Sequence, residues 1–320
     1  MTTPFESANE ALIQIQREIA IPDWPAAFDT ATLASKHFPG TRGMIEYFRL
    51  CAAARLGRRE LVFDSLRQLA DEGFWYSEVL LRQSPSFAPF QELPDFERLV
   101  ERHRAVQEHS MAARQPDIIV RPASSLAVAA ALIALHGNAG SAALEAAHWT
   151  GLTAQACLVG LPESGQGGLM KDVWNWDDEA ATFATIRTFH ERLALPIGTP
   201  LLLGGFSLGG QMALRAALNC LLPCRGFLLF APYIDANLTE WLKLLQKPAA
   251  PSLRGHVVVG SLDPSCAAIR QLVAAMNQVG LVCGLEVLAG AHDYPTDLAA
   301  IFGRALPNVL VEPGAPAGGA

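Results

Sequence analysis

One stretch constrains this chain more than any other: Leu201-Leu202-Leu203-Gly204-Gly205-Phe206-Ser207-Leu208-Gly209-Gly210-Gln211-Met212-Ala213. It reads as a buried apolar run, then a glycine-rich corner, then the opening of a helix. Gly205, Ser207 and Gly209 spell G-x-S-x-G, the pattern of a serine held on a sharp strand-to-helix turn. Such a turn strains the serine backbone and brings the residues two before and two after it against neighbouring chain, where only a hydrogen side chain fits. The same turn aims the hydroxyl out of the sheet and sets the helix N-terminus behind it, where free N–H groups can hold a developing oxyanion. The pentapeptide is short, so the reading depends on the structural context and on partner residues.

That context begins downstream of residue 113. Residues Arg114 to Ser125 carry two prolines and several polar side chains, the texture of a domain boundary, with a short first strand expected over Asp117–Val120. Apolar runs Leu126–Leu135, Ala156–Leu161, Leu201–Phe206, Gly226–Phe230, His256–Gly260 and Leu281–Leu288 then alternate with helical patterns over Ala142–Trp149, Asp177–Leu193, Leu208–Leu221, Leu238–Leu245, Cys266–Val279 and Thr296–Ala305. Short strands alternating with amphipathic helices predict an α/β domain with a mostly parallel sheet, its site at the carboxyl ends of the strands. The expected catalytic domain covers 114–307, and 308–320, rich in Pro, Gly and Ala, reads as a flexible tail.

Upstream, the pattern is helical. Ala26–Phe38, Arg42–Leu56, Glu60–Glu72 and Phe96–Val106 carry apolar residues at three- and four-residue spacing, with Pro39, Gly57 and Gly73 at the stops. Phe28-Asp29 recurs as Phe63-Asp64, an offset close to the period of a tetratricopeptide repeat. Residues 1–113 are therefore expected to form an all-α domain that is either helical-repeat-like or an irregular bundle.

The chain has 320 residues, 51% of them apolar, and a net charge of -7. That balance supports a well-buried globular protein and leaves no electrostatic footprint for nucleic acid or an anionic membrane. Six cysteines at irregular spacing form no C-x-x-C pair and no metal framework. Met1 to Glu10 lacks the layout of a secretory leader, and Leu126–Leu135 is too short to span a bilayer. The expected location is the cytoplasm.

A serine hydroxyl needs a base to take its proton, and the base needs a carboxylate to fix its tautomer. Asp263 lies in Ser261-Leu262-Asp263-Pro264, after the run His256–Gly260, and His292 lies in Ala289-Gly290-Ala291-His292-Asp293, after Leu281–Leu288. The order Ser207, Asp263, His292 is the one that this strand-turn-helix pattern takes when it carries a triad. Asp235, in the loop after the preceding strand, is the competing acid. For the oxyanion, the expected donors are the N–H of Leu208 and the N–H of Asn138, in the turn His136-Gly137-Asn138.

Together, Leu135-His136-Gly137, Gly204-Gly205-Phe206-Ser207-Leu208-Gly209-Gly210, Gly260-Ser261-Leu262-Asp263-Pro264 and Gly290-Ala291-His292 resemble the carboxylesterase, lysophospholipase and acyl-thioesterase branch of the α/β-hydrolases. A dienelactone-hydrolase-like kinship is the alternative. The resemblance spans about Pro116 to Pro307 and implies the α/β-hydrolase fold. It implies Ser207 as nucleophile, Asp263 as acid and His292 as base, hydrolysing an ester or thioester through an acyl-enzyme without metal or organic cofactor. Asn138 departs from the apolar residue or glycine common at its position. The helical region, through Tyr47 to Gly57 and the helix ending at Gly73, resembles one tetratricopeptide repeat, which would suit a protein partner or a shield over the cleft.

The loop Leu161 to Trp176 follows a strand, so Gln166, Met170, Trp174 and Trp176 are expected to wall a substrate pocket, with the alternative that the two tryptophans only staple the loop to the helix starting at Asp177. Between Tyr233 and Ser252 there is room for one short helix and no large lid, so the substrates expected are small to medium esters. Two further readings stand beside the esterase: an inert hydrolase-fold scaffold, and a peptidase or acyltransferase using the same triad.

Overall fold

The first helices begin where the sequence supplies caps. The Ser7 hydroxyl accepts from the N–H of Glu10 and opens α1 (Ala8–Ala20), and Asp23 does the same for Ala26 at the head of α2 (Trp24–His37). Then come α3 (Arg42–Arg55), α4 (Arg59–Asp71), α5 (Glu78–Gln83) and α6 (Pro94–Ala112). Gly57 and Gly73, both at φ +71°, follow the ends of α3 and α4 in the left-handed conformation that glycine tolerates best. Helices α1 and α5 were not expected, although Ser7 followed three residues later by Glu10 is a capping-box signature.

The computed structural model describes residues 5–38, 42–114, 118–125, 128–247 and 253–311. It divides into two compact units, one of Met1–Arg114 with Gly167–Asp172, the other of Gln115–Gln166 with Val173–Ala320. In the helical unit Phe63, Phe90 and Phe96 pack with ring centroids 5.3–5.9 Å apart. Beside them His103 is fully buried, its Nδ1 accepting from the N–H of Tyr76 and its Nε2 donating to the carbonyl of Leu66. The segment Gly167–Asp172 adds a short extended piece to this unit, with Ser77 N–H donating to Leu169 O and Lys171 N–H to Trp75 O.

The second unit is built on a seven-stranded sheet. Its strands are β1 (Ile118–Arg121), β2 (Ala130–Leu135), β3 (Cys157–Pro162), β6 (Leu201–Phe206), β7 (Gly226–Phe230), β8 (Arg254–Gly260) and β9 (Val282–Leu288). Two-residue strands, β4 (Gln166–Gly167) and β5 (Trp174–Asn175), come between β3 and β6. The sheet order is β1-β3-β2-β6-β7-β8-β9, and only β1 runs antiparallel to its neighbour. β2 and β7 are buried along their whole length, as continuous apolar runs in a parallel sheet must be when helices cover both faces. One face packs residues of α8 (Glu179–Leu193), α9 (Ser207–Leu218), α10 (Thr239–Leu245) and α11 (Cys266–Gln278), among them Ile186, Met212, Trp241 and Leu272. The other packs α7 (Ala142–Trp149) and α12 (Leu298–Leu310) through Trp149, Phe302 and Val309.

The last helix corrects the expected tail. It continues through Pro307 to Leu310, while the rest of the tail from 312 lies outside the described residues. A proline inside a helix costs about 3 kcal/mol. Leu306 and Val309 are buried against the sheet, and each buried aliphatic side chain contributes roughly 1.5–3 kcal/mol, enough to hold the turn beyond the proline. Cys220, two residues beyond the end of α9, is exposed. Among the described residues no helix is long and apolar enough to cross a membrane.

Candidate active site

Ser207 sits at the first position of α9 with φ +52°, a left-handed backbone that an L-residue adopts at a cost of about 1–2 kcal/mol. The glycines around it are needed for close approach. A Cβ on Gly205 would lie 2.6 Å from the backbone of Gly209, and one on Gly209 would collide with the carbonyl oxygens of Leu135 and His136 at the end of β2. The elbow thus rests directly on the turn that follows β2. The carbonyl of Ser207 accepts from the N–H of Tyr233, beyond β7.

The other two expected residues meet the serine. His292 Nε2 lies 2.8 Å from Ser207 Oγ, and His292 Nδ1 lies 2.7 Å from Asp263 Oδ2. The Asp263 side chain is fully buried and its Oδ1 accepts from the N–H of Ser265 at 2.7 Å. A carboxylate only accepts, so the imidazole proton resides on Nδ1 and the Nε2 lone pair faces the serine hydroxyl. Gly260 makes this convergence possible, since a Cβ there would collide with the carbonyl of Ala291 in the histidine loop. The competing acid Asp235 is exposed and accepts from Asn237 N–H within its own turn.

The turn after β2 is held from several sides. Gly137 N–H donates to Glu145 Oε1 at 3.1 Å, and Ala139 N–H donates to Asn175 Oδ1 at 3.2 Å. Between them, the N–H of Asn138 has no hydrogen-bond partner among the described residues. Leu208 N–H belongs to the first turn of α9, where no intrahelical acceptor exists. His136 is buried, with Nδ1 donating to Gly137 O and Nε2 accepting from Ser164 N–H.

The four residues expected to wall a substrate pocket are committed elsewhere. Met170 is buried in the helical unit, bridged to Tyr76, with its sulfur beside Gly43. Trp176 is fully buried and donates Nε1–H to the carbonyl of His136 at 2.9 Å. Trp174 is buried, and its N–H donates to Gly140 O. Gln166 donates to Asp178 O and Thr182 Oγ1 and accepts from Asp178 N–H at the head of α8. For the two tryptophans the contacts support the staple, because both are buried and the Trp176 indole N–H is already taken by a backbone carbonyl.

Sequence reasoning missed Glu145 and Tyr294. The Tyr294 ring stacks on Phe206 at 4.6 Å, and its hydroxyl lies 2.5 Å from Glu145 Oε2. Burial pushes the Glu145 carboxyl and the Tyr294 hydroxyl above their ordinary ranges.

The strand order, the strained serine between β6 and α9 and the loops at the carboxyl ends of β8 and β9 define the α/β-hydrolase fold, here preceded by a helical region. An uncharacterized protein from Bacillus cereus ATCC 10987 is similar over 92% of this chain and 96% of its own, with TM-score 0.50 and 23% identity. Zea mays acyl-protein thioesterase 2 matches 62% of this chain over 100% of its own at TM-score 0.49 and 14% identity. A carboxylesterase from Mesorhizobium loti matches 60% over 98% of its own at TM-score 0.47 and 16% identity. Neither a family model nor a curated protein matches the chain.

Proposed function

We propose that this protein is a serine hydrolase that cleaves carboxylic esters or thioesters of small to medium size through an acyl-enzyme on Ser207. The observation that carries this reading is the unbroken series Asp263 Oδ2, His292 Nδ1, His292 Nε2, Ser207 Oγ, with both gaps at hydrogen-bond length. His292 takes the proton of Ser207 as Oγ attacks the acyl carbon, and Asp263 stabilises the imidazolium that forms. The oxyanion accepts from the N–H groups of Leu208 and Asn138. His292 returns the proton to the departing alcohol or thiol. A water then attacks the acyl-enzyme by the same route, releasing the acid and restoring Ser207. The segment 233–247 contains only the seven-residue α10, which supports an uncapped cleft and short substrates. All six cysteines are unpaired, in keeping with a reducing compartment such as the cytoplasm.

A fluorophosphonate probe tests the reading. It should label Ser207 in the native protein and fail to label Ser207→Ala, and turnover should be faster on short p-nitrophenyl esters than on long-chain ones. No labelling of the native protein would sink the proposal.

A further inference from the structure

Glu145 lies in α7, just after the turn that carries Asn138, and is only 7% exposed. Among the described residues it makes no ion pair with lysine or arginine. A carboxyl at that depth costs stability, and a well-packed apolar residue would commonly serve the core as well or better. Its two oxygens reach two different loops of the site. Oε1 accepts from Gly137 N–H at 3.1 Å, and Oε2 lies 2.5 Å from the Tyr294 hydroxyl, which also accepts from Trp149 Nε1–H at 3.1 Å.

We propose that Glu145 and Tyr294 are a positioning pair that locks the oxyanion turn to the histidine loop, fixing Asn138 N–H and His292 Nε2 relative to Ser207. This inference rests on the serine-hydrolase reading. Gly137 packs closely against the elbow: a Cβ on it would lie 2.9 Å from the Phe206 ring and 3.6 Å from Ser207 Cβ. With its N–H turned onto Glu145, the next N–H, that of Asn138, is the one left for substrate. Tyr294 stands two residues after His292, stacked on Phe206 at 4.6 Å and on His148 at 4.0 Å, and Phe206 in turn rests 5.0 Å from the His292 ring. One carboxyl and one phenol therefore tie together the elbow, the oxyanion turn and the base.

Burial favours the protonated carboxyl, which keeps negative charge away from an oxyanion forming one residue along the chain. Gly137 N–H donates to Oε1, and the Tyr294 hydroxyl donates to Oε2. Glutamine keeps both links, with Oε1 accepting from Gly137 N–H and Nε2–H donating to the Tyr294 oxygen once the hydroxyl has turned its own proton away. Alanine can reproduce neither.

The test is steady-state hydrolysis of p-nitrophenyl butyrate, with kcat expressed per serine titrated by a fluorophosphonate, so that misfolded molecules do not count. Glu145→Ala should lower kcat by about 10- to 100-fold, the loss typical of a reacting group displaced by about an ångström, with KM changed by less than about threefold. Glu145→Gln should restore kcat to within about threefold of the native value. Tyr294→Phe should cost about tenfold, and the double variant Glu145→Ala, Tyr294→Phe should be no slower than Glu145→Ala alone, because one link is broken once. A native turnover per titrated serine in Glu145→Ala, or losses that multiply in the double variant, would overturn the inference and leave the serine-hydrolase reading standing. Failure of the probe to label the native protein would overturn both.

Discussion

His103 in the helical unit and His292 in the sheet unit use the same ring for opposite ends. Both have each nitrogen within hydrogen-bond distance of a partner. His103 is fully buried and its partners are backbone groups, the N–H of Tyr76 and the carbonyl of Leu66. Burial lowers its pKa to about 4, so at neutral pH it is an uncharged cross-link between α6, the middle of α4 and the chain before α5. The His292 side chain is 36% exposed and stands between a buried carboxylate and a serine hydroxyl that can give up its proton. A histidine becomes useful for proton transfer when one neighbour can change protonation and the imidazolium has a counter-charge. Neither condition holds for His103.

That contrast can be broken by substitution. The largest effect is expected from His292→Gln, which should lower kcat on p-nitrophenyl butyrate by about 10⁴- to 10⁶-fold while leaving urea unfolding near the native midpoint. The reverse outcome, lost stability with retained turnover, would place His292 with His103. Next, Asp263→Asn should cost about 10³- to 10⁴-fold in kcat, because an amide facing Nδ1 favours the wrong tautomer. A loss under tenfold would point to another carboxylate, with Asp235 the first to replace.

His103 should show itself through stability and pH. Its unfolded-state pKa is near 6.5 and its folded value is lowered to about 4, so its neutral form is favoured by folding. The stabilisation is fully present above about pH 6.5 and is lost as pH falls toward 4, amounting to about 3 kcal/mol. Urea unfolding followed by circular dichroism at pH 7 and pH 4.5 should show this loss in the native protein and a smaller one in His103→Gln. The smallest effect is a gain: Ser207→Gly should remove left-handed strain worth about 1 kcal/mol and raise the thermal midpoint by roughly 2–4 °C, with activity abolished. A lower midpoint would mean that the elbow is not strained.

Much of the sheet unit is legible because its signals are local. The strands over Leu201–Phe206 and Gly226–Phe230 coincide with the apolar runs, and Gly205 and Gly209 mark a corner whose crowding any side chain would violate. The helical unit is less legible at its edges, where α1 depends on the Ser7 cap and the short α5 on Ser77. Gln166, Met170, Trp174 and Trp176 show the limit from the other side. Their residue types fit a pocket wall as well as a structural contact, and the difference lies in whether His136 O, Thr182 Oγ1 or the backbone of Tyr76 is within reach.

The alternation of strand and helix, the glycine corner and the chain order of serine, aspartate and histidine are written in the sequence alone, because periodicity and steric exclusion act over a few residues. Folding in three dimensions settles that Asp263 and not Asp235 meets His292, that Trp176 donates to a backbone carbonyl, and that Glu145 reaches Tyr294. Those outcomes depend on which side chains lie within about 3 Å across distant loops, the range over which a hydrogen bond exists at all. Spacing along the chain carries no measure of that distance.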